Sequence, residues 1–356
     1  MAPKESTILI DQCPFAIGIV APDGTMLRVS PAWSKLLGFD PTGQKYQSFT
    51  HPDDIEFDRD QHERLVAGEI STYNMIKRYR HADGRWIHVL LEVGILPDGR
   101  AIAYVSDISK DIEIRQQLEM QHRISTGILN REFVLHYQPV VFLADKKTVG
   151  YEALVRWQQG DKLLYPGDFM EGLSVPTMEL LTFDVLRMAI DALPSLEPYW
   201  VAVNLDPRTL KDKVFSGKLL AFLSVACVNP LALRLEVTEQ YLIDLALIKD
   251  TLQRASDMGH VIELDDVGSD GYSNLSLITQ GFFRAIKIDK GLTDQLFSAD
   301  GKRVQKLFRT LLTLADGIRL EVIVEGIETD DQRDWLWANG FQLGQGYLFG
   351  KPEPLQ

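Results

Sequence analysis

Cysteine is scarce in this chain, with only Cys13 and Cys227 among 356 residues. Two cysteines cannot build a disulfide scaffold, and they cannot supply an all-cysteine zinc site. Long hydrophobic runs are missing near the start, where the longest, residues 15–21, is too short to span a bilayer and follows no charged leader. These absences predict a soluble, intracellular protein of the cytoplasm that has no membrane partner.

The chain also has no excess of basic residues. It carries 37 Lys and Arg against 50 Asp and Glu, for a net charge of −13, and neither half contains a basic run. This balance argues against DNA and against an anionic membrane as partners. A small anionic substrate stays compatible with it only if metal ions screen the charge. Disorder is excluded, because 45% hydrophobic and 24% charged residues are typical of globular proteins.

The length predicts two domains, or one barrel-sized domain with a smaller one, at roughly 150 residues per domain. Short strand-like runs separated by turns at 22–24 and 97–99 predict a small α+β domain over 1–106. From 107 to 128 Glu, Gln, Arg and Lys dominate, proline is absent and the first glycine is Gly127. That composition predicts a connecting helix, which could pair with its copy in a dimer.

After Arg131 short strand-like runs alternate with longer helical stretches. Eight such runs favour a (β/α)₈ barrel, here expected over 129–356, rather than an open doubly wound sheet. The predicted strands are 133–138, 150–157, 200–205, 231–237, 260–264, 285–288, 321–324 and 346–349.

Six of these runs carry polar side chains within the strand or at its C-terminal end. Active sites of barrels are assembled at that end. A single buried Glu in a strand is more often part of a structural ion pair, but repetition in six strands near the same end favours function. The residues are Glu152, Asn204, Glu236, Asp265, Asp266, Lys287 and Glu325.

Five carboxylates in one low-dielectric site would repel one another by several kcal/mol per neighbour, and Lys287 alone cannot balance them. Hard divalent cations can, and a ligand set without Cys or His suits Mg²⁺ or Mn²⁺. Two such ions can clamp a phosphate and acidify a bridging water, while the lysine orients that water or neutralises developing charge. Glycine-rich phosphate loops, GxSxG elbows and HExxH motifs are absent. Metal-assisted phosphodiester hydrolysis is therefore predicted.

The segment Glu152-Ala153-Leu154-Val155-Arg156-Trp157 resembles the signature of the EAL family of bacterial cyclic di-GMP phosphodiesterases. The resemblance extends from about residue 124 to residue 354 and depends on a set of motifs in a fixed order. They are 137–139, Pro166 with Phe169, Asn204, 236–239, 265–266, 287–289, 324–329, and 345–347 before Pro352.

This resemblance implies a TIM-type barrel that opens cyclic di-GMP to linear pGpG with two Mg²⁺ or Mn²⁺ ions per site. Lys287 would hold the nucleophilic water, Glu152 and Glu325 would share the catalytic role, and Glu239 would anchor the loop after Asp266. The implied metal ligands are Glu152, Asn204, Glu236, Asp265, Asp266 and Glu325, and the implied substrate contacts are Gln138, Leu154, Arg156 and Gln345.

One loop departs from the family pattern. After Asp265 and Asp266 the family usually has Phe where this chain has Val267, and the segment 267–271 holds one extra residue. An alternative function therefore stays open, a receptor that binds cyclic di-GMP without hydrolysing it. The complete set of implied ligands favours the hydrolase.

The first 106 residues resemble a PAS sensor module, which implies that they regulate the barrel. No cysteine lies in 54–65, where flavin-binding light sensors have a reactive one, and the sequence does not identify a ligand. A spacer that only supports a homodimer is the other reading of this domain. The resemblance is carried by 17–24, 31–33, 36–39, 51–54 and 107–109.

Overall fold

The computed structural model describes residues 10–170, 173–226, 229–238, 245–269 and 275–355. The chain divides into two compact units, Met1–Glu119 and Met120–Gln356. A helix, Ser109–Leu129, begins in the first unit and ends in the second. The domain boundaries predicted above stay predictions.

The first unit is built on an antiparallel sheet of five strands in the order β2-β1-β5-β4-β3. Side chains such as Trp33, Leu37 and Tyr79 form its core against the sheet, as expected of a small α+β domain. Its elements are β1 (Ala16–Val20), β2 (Met26–Val29), α1 (Pro31–Leu37), a 3₁₀ turn (Tyr46–Phe49), α2 (Pro52–Val66), β3 (Thr72–Arg80), β4 (Trp86–Ile95) and β5 (Ala101–Asp107), followed by α3 (Ser109–Leu129).

The second unit is a closed barrel of eight strands, because β6 pairs with both the second and the last barrel strand. A short ninth strand, β8, extends the sheet beside β7. The strands are β6 (Phe133–Phe142), β7 (Thr148–Gln159), β8 (Lys162–Leu164), β9 (Trp200–Leu205), β10 (Leu233–Thr238), β11 (Val261–Val267), β12 (Phe283–Ile288), β13 (Glu321–Val324) and β14 (Leu343–Gln345).

Helices pack around the barrel, and several begin at a capping side chain. Ser174 accepts a hydrogen bond from the Thr177 amide, and Thr329 forms a capping box with Gln332. The helices are α4 (Pro166–Phe169), α5 (Val175–Leu196), α6 (Pro207–Leu210), α7 (Lys213–Val225), α8 (Leu245–Asp257), α9 (Leu275–Ile278), α10 (Lys290–Thr293), α11 (Gly301–Ile318) and α12 (Asp330–Ala338), with a 3₁₀ turn at Pro230–Ala232.

The TIM-type barrel predicted from the alternating pattern is confirmed, with two local differences. β6 runs antiparallel to β7, so a hairpin replaces the first crossover helix. The last strand is Leu343–Gln345 rather than 346–349, because the close approach of Gly346 to the backbone of Ile327 takes the chain out of the sheet.

Within the described residues, no helix combines the length and the apolar character needed to cross a membrane.

Candidate active site

The parallel register of the barrel strands brings the predicted polar residues to one end. Asn204 on β9 is the partner of Glu236 on β10, and Thr238 at the end of β10 is the partner of Asp265 on β11. Lys287 lies one residue before the end of β12, and Glu325 directly follows β13. Since these are the carboxyl ends of the strands, the side chains meet where barrel enzymes place their sites.

The amino group of Lys287 is the centre of this arrangement. Its Nζ lies 2.7 Å from Glu325 Oε1, 3.1 Å from Glu236 Oε1 and 3.6 Å from Asp265 Oδ1. A fourth carboxylate, Glu152, has its Oε2 at 3.1 Å. The lysine is only 1% exposed, so these oxygens replace the water that an ammonium group would otherwise bind.

Glu152 ties the lysine to amide side chains from two other strands. Its Oε1 accepts a hydrogen bond from Asn204 Nδ2 at 2.9 Å, and its Oε2 accepts one from Gln345 Nε2 at 2.7 Å. The same Gln345 nitrogen is 3.0 Å from Gln138 Oε1, and Gln138 Nε2 donates to the Gly350 carbonyl. The carboxylate of Glu152 is thereby fixed in one orientation.

A backbone irregularity places Asp265 and Asp266 on the same side of β11. Consecutive residues of a regular strand point to opposite faces. Here the pairing with β12 shifts between Leu264 and Val267, and Asp266 adopts a left-handed conformation with φ 61°. As a result, Asp265, Asp266 and Glu325 each offer an oxygen within 4.8 Å of the other two.

Burial and mutual repulsion raise the pKa values of most of these carboxyl groups. Burial is the largest cause for Glu325, whose pKa rises to about 8, and for Asp266, whose pKa rises to about 6. The pKa of Glu236 lies well above its ordinary value because of burial and the charge of Glu152. Burial opposes the charged form of Lys287, but the carboxylates around it raise its pKa well above the ordinary value.

The residues fit divalent cations. One lysine faces four carboxylates, so the described residues of the site carry more negative than positive charge. Glu236 Oε2 is buried and has no hydrogen-bond partner among the described residues. An all-oxygen donor set of carboxylates and one amide suits Mg²⁺ or Mn²⁺, as predicted from the sequence.

Metal binding should therefore depend on pH. Glu325 has a pKa of about 8 in the folded chain against an ordinary 4.5, so its protonated form stabilises the metal-free protein at low pH. That stabilisation is lost as the pH rises from 4.5 towards 8. A cation must displace this proton, so the affinity for Mg²⁺ should rise about tenfold per pH unit up to that range.

Thermal unfolding with and without Mg²⁺ measures this dependence. The gain in Tm from Mg²⁺ should be larger at pH 8 than at pH 6, and the difference should shrink in Glu325→Gln, which cannot titrate. An equal gain at both pH values in the unsubstituted chain would contradict the assignment of Glu325.

A cavity of about 280 Å³ opens beside the carboxylates. The predicted substrate contacts Gln138, Leu154 and Gln345 line it together with Glu152 and Glu325. Arg156 is not among the lining residues described for this cavity. Its Nη1 donates to the Val155 carbonyl at 2.9 Å, and its guanidinium stacks on the Tyr165 ring at 4.9 Å.

Five further residues that the motif analysis did not assign line the same cavity, and Gly346 is one of them. Lys290 forms a salt bridge with Glu328 at 2.5 Å on its rim. Gly326, with φ 68°, lies where a Cβ would be 2.3 Å from Lys290 Cγ, so only glycine fits there. Tyr347 completes the set. Their position in or beside the quoted motifs 287–289, 324–329 and 345–347 could have identified them from the sequence.

Two sequence predictions lie outside the described residues. Glu239, expected to anchor the loop after Asp266, is one of them, and most of the extended loop, 270–274, is the other.

Comparison with known proteins identifies similar families over both units. The family model "EAL domain" matches residues 121–352, and the family model "PAS fold" matches residues 26–106. Both resemblances seen in the sequence are thereby confirmed.

Individual relatives share this similarity. The probable cyclic di-GMP phosphodiesterase PdeB of Escherichia coli (strain K12) is 31% identical over 80% of this chain and 54% of its own length. The cyclic di-GMP phosphodiesterase PdeR of the same strain is 32% identical over 67% of this chain and 37% of its own length. This chain therefore spans about half or less of these relatives. A solved PaMucR phosphodiesterase in complex with c-di-GMP has a TM-score of 0.56 at 27% identity, covering 66% of this chain and 98% of that one.

Proposed function

This chain belongs to the EAL domain family, and we propose that it hydrolyses cyclic di-GMP to linear pGpG with the help of two divalent cations, Mg²⁺ or Mn²⁺. The observation that carries the proposal is the buried amino group of Lys287 in contact with four carboxylates at the C-terminal end of the barrel. The names of the relatives PdeB and PdeR support the same substrate.

The cations would be held by the oxygen-bearing side chains at the strand ends. When bound, they would bind the phosphate oxygens and lower the pKa of a water molecule next to the phosphorus. The proposed ligands are Glu152, Asn204, Glu236, Asp265, Asp266 and Glu325.

The chain's own residues would then position the reactants. Lys287 would donate a hydrogen bond to the attacking water and keep it in line with the bond that breaks. Glu152 and Glu325, both in contact with the lysine, would fix the direction of its N–H groups. The water oxygen would form a new bond to phosphorus, and one P–O ester bond would break. One proton of the water would end on the released sugar oxygen.

Gln138, Leu154 and Gln345 would contact the substrate in the 280 Å³ cavity. For Arg156 to bind a phosphate, its guanidinium would have to exchange its stacking on Tyr165 for the substrate. We keep Arg156 as a proposed substrate contact, because a guanidinium group can donate two parallel hydrogen bonds to a phosphate.

The test is incubation of the purified chain with cyclic di-GMP and Mn²⁺, with products separated by chromatography. We expect pGpG to appear, and no product to form after chelation of the metal. Tight binding of cyclic di-GMP with no product under Mg²⁺ or Mn²⁺ would instead favour the non-hydrolytic receptor.

We further propose that residues 1–106 act as a sensor, that 107–128 connect it to the barrel of 129–356, and that the chain works as a homodimer in the cytoplasm. The PAS fold match over 26–106 supports the sensor role. Removal of residues 1–106 should change the basal rate per barrel, whereas a mere spacer would leave it unchanged at equal dimer content.

A further inference from the structure

A second group of charges, with Glu263 fully buried and Glu321 partly exposed, belongs to the barrel strands but does not line the cavity described above. Arg234 Nη1 is 2.7 Å from Glu263 Oε1 and 2.5 Å from Glu321 Oε1. The guanidinium carbon lies 3.8 Å from the centre of the Trp200 ring. Neither Arg234 nor Glu263 belongs to the motifs of the sequence analysis.

The strand register places this group directly next to the candidate metal ligands. Glu263 on β11 is the register partner of Glu236 on β10. Arg234 precedes Glu236 by two residues, and Glu263 precedes Asp265 by two. Because side chains two apart on a strand share a face, Arg234 and Glu263 point to the same side of the sheet as the ligands above them.

The position of Glu263 is costly for a residue with only a structural role. Its side chain is 0% exposed, and its Oε2 has no hydrogen-bond partner among the described residues. An apolar side chain there would avoid the desolvation of a carboxylate. Arg234 compensates one oxygen and leaves the other unpartnered beside Glu236, whose own Oε2 is unpartnered as well.

Glu263 therefore adds negative potential at the layer of the metal ligands. Arg234 limits this effect, since its guanidinium neutralises Glu263 from the side away from the site.

We propose that Glu263, held by Arg234, is a positioning residue that orients Glu236 and strengthens divalent-cation binding at the site, an inference that depends on the metal-dependent function proposed above. Groups that support metal ligands from behind typically change metal affinity by about 10–100-fold when they are replaced.

The experiment measures Mn²⁺ binding to the purified full chain by isothermal titration calorimetry without nucleotide. Glu263→Gln keeps the shape of the side chain and removes its charge. We expect at least about tenfold weaker Mn²⁺ binding. The Tm of the metal-free variant should stay unchanged or rise, because the change removes a buried charge and keeps the shape of the side chain. A merely structural residue would show the opposite pattern, a lower Tm with unchanged affinity.

Glu321→Gln is the matched control, because it removes the partly exposed partner of the same Arg234 and leaves Glu263 in place. It should change the Mn²⁺ affinity less than about threefold. If Glu263→Gln does not fold, the double variant Arg234→Leu with Glu263→Leu removes both charges together and should show the same loss of affinity.

Unchanged Mn²⁺ affinity in the variant that folds would overturn the role of Glu263 while the proposed function stands. Failure of the unsubstituted chain to bind Mn²⁺ would instead overturn the metal-dependent function, and with it this inference.

Discussion

Replacement of Lys287 by methionine is expected to lower kcat for cyclic di-GMP hydrolysis by about 10²–10⁴-fold, the range typical of a positioned proton donor or acceptor. Methionine has a similar volume, so the change removes the N–H groups more than the packing. The lysine is 1% exposed and contacts four carboxylates. The described residues of this cluster include no other cation that could take its place.

The measurement is the rate of pGpG formation at saturating substrate and Mn²⁺. Lys302→Met is the control, because Lys302 is exposed at the start of α11 and should leave the rate unchanged. Binding of cyclic di-GMP should be measured in parallel, since a chain that still binds but does not turn over has lost the chemical step. A Lys287→Met chain that hydrolyses within about threefold of the unsubstituted rate would contradict the proposed role.

Replacement of Lys77 by methionine is expected to lower the free energy of unfolding of the first unit by about 3–5 kcal/mol. Lys77 on β3 forms an ion pair with Asp58 on α2, and both side chains are 1% exposed. Tyr73 Oη donates to Asp58 Oδ1 at 3.0 Å, and the Lys77 amino group lies 4.3 Å from the centre of the Tyr79 ring. Loss of the lysine would leave a carboxylate in the core without its counter-charge.

The double variant Asp58→Leu with Lys77→Met separates the two contributions to this effect. A buried ion pair replaced by apolar residues of similar volume is often neutral or stabilising. The double variant should therefore recover most of the stability that Lys77→Met alone loses. Native-state hydrogen exchange of the backbone amides of β3 and β4 in increasing urea reports on the first unit separately from the second. A loss below about 1 kcal/mol in Lys77→Met would show that Asp58 reaches solvent in the folded chain.

The same ion pair fills the centre of the first unit. The cavity that it lines together with Trp33 and Tyr46 has a volume of about 20 Å³, which is room for about one water molecule. A ligand of the size of a flavin could enter this core only if Asp58 and Lys77 moved apart. We therefore expect the pair both to stabilise this unit and to keep large ligands out of its core.

The sequence predicted that these polar side chains lie together at one end of the barrel, because one simple rule controls their position. A polar residue at the C-terminal end of an apolar barrel strand contributes its side chain to the site at that end, and Glu236, Lys287 and Glu325 follow that rule. The same rule locates Asp266 at a strand end, but it does not predict the direction of its side chain. The alternation of a regular strand would have directed it away from Asp265, and only the shift in pairing with β12 reverses it.

Two local differences from the predicted fold have equally local causes. The hydrophobic run 346–349 resembles a strand, but Gly346 lies where even a Cβ would be 2.1 Å from the Ile327 carbonyl oxygen, and the pairing ends at Gln345. The reversed direction of β6 had a signal in the sequence. The five residues between Phe142 and Thr148 are too few for a crossover helix, and only a hairpin can join strands so close in the chain.

Glu263 illustrates a different limit of prediction from a single sequence. In the sequence it is one of three acidic residues in β11, and its spacing from Asp265 marks only a shared face. Its significance comes from Arg234 on the neighbouring strand, a residue that lies 29 positions earlier. Pairings between strands of this kind depend on register, which a single sequence does not specify.

The pairing of β6 with β14 has a consequence for biosynthesis. Gln138 and Gln345 are 207 residues apart in the chain, yet they share a hydrogen bond beside Glu152. During synthesis on a ribosome the N-terminus of the chain emerges first. The barrel can therefore close only after β14 has emerged. A nascent chain that lacks that strand carries all the carboxylates from Glu152 to Glu325 but no closed pocket around them, so a truncated product should be inert towards the nucleotide.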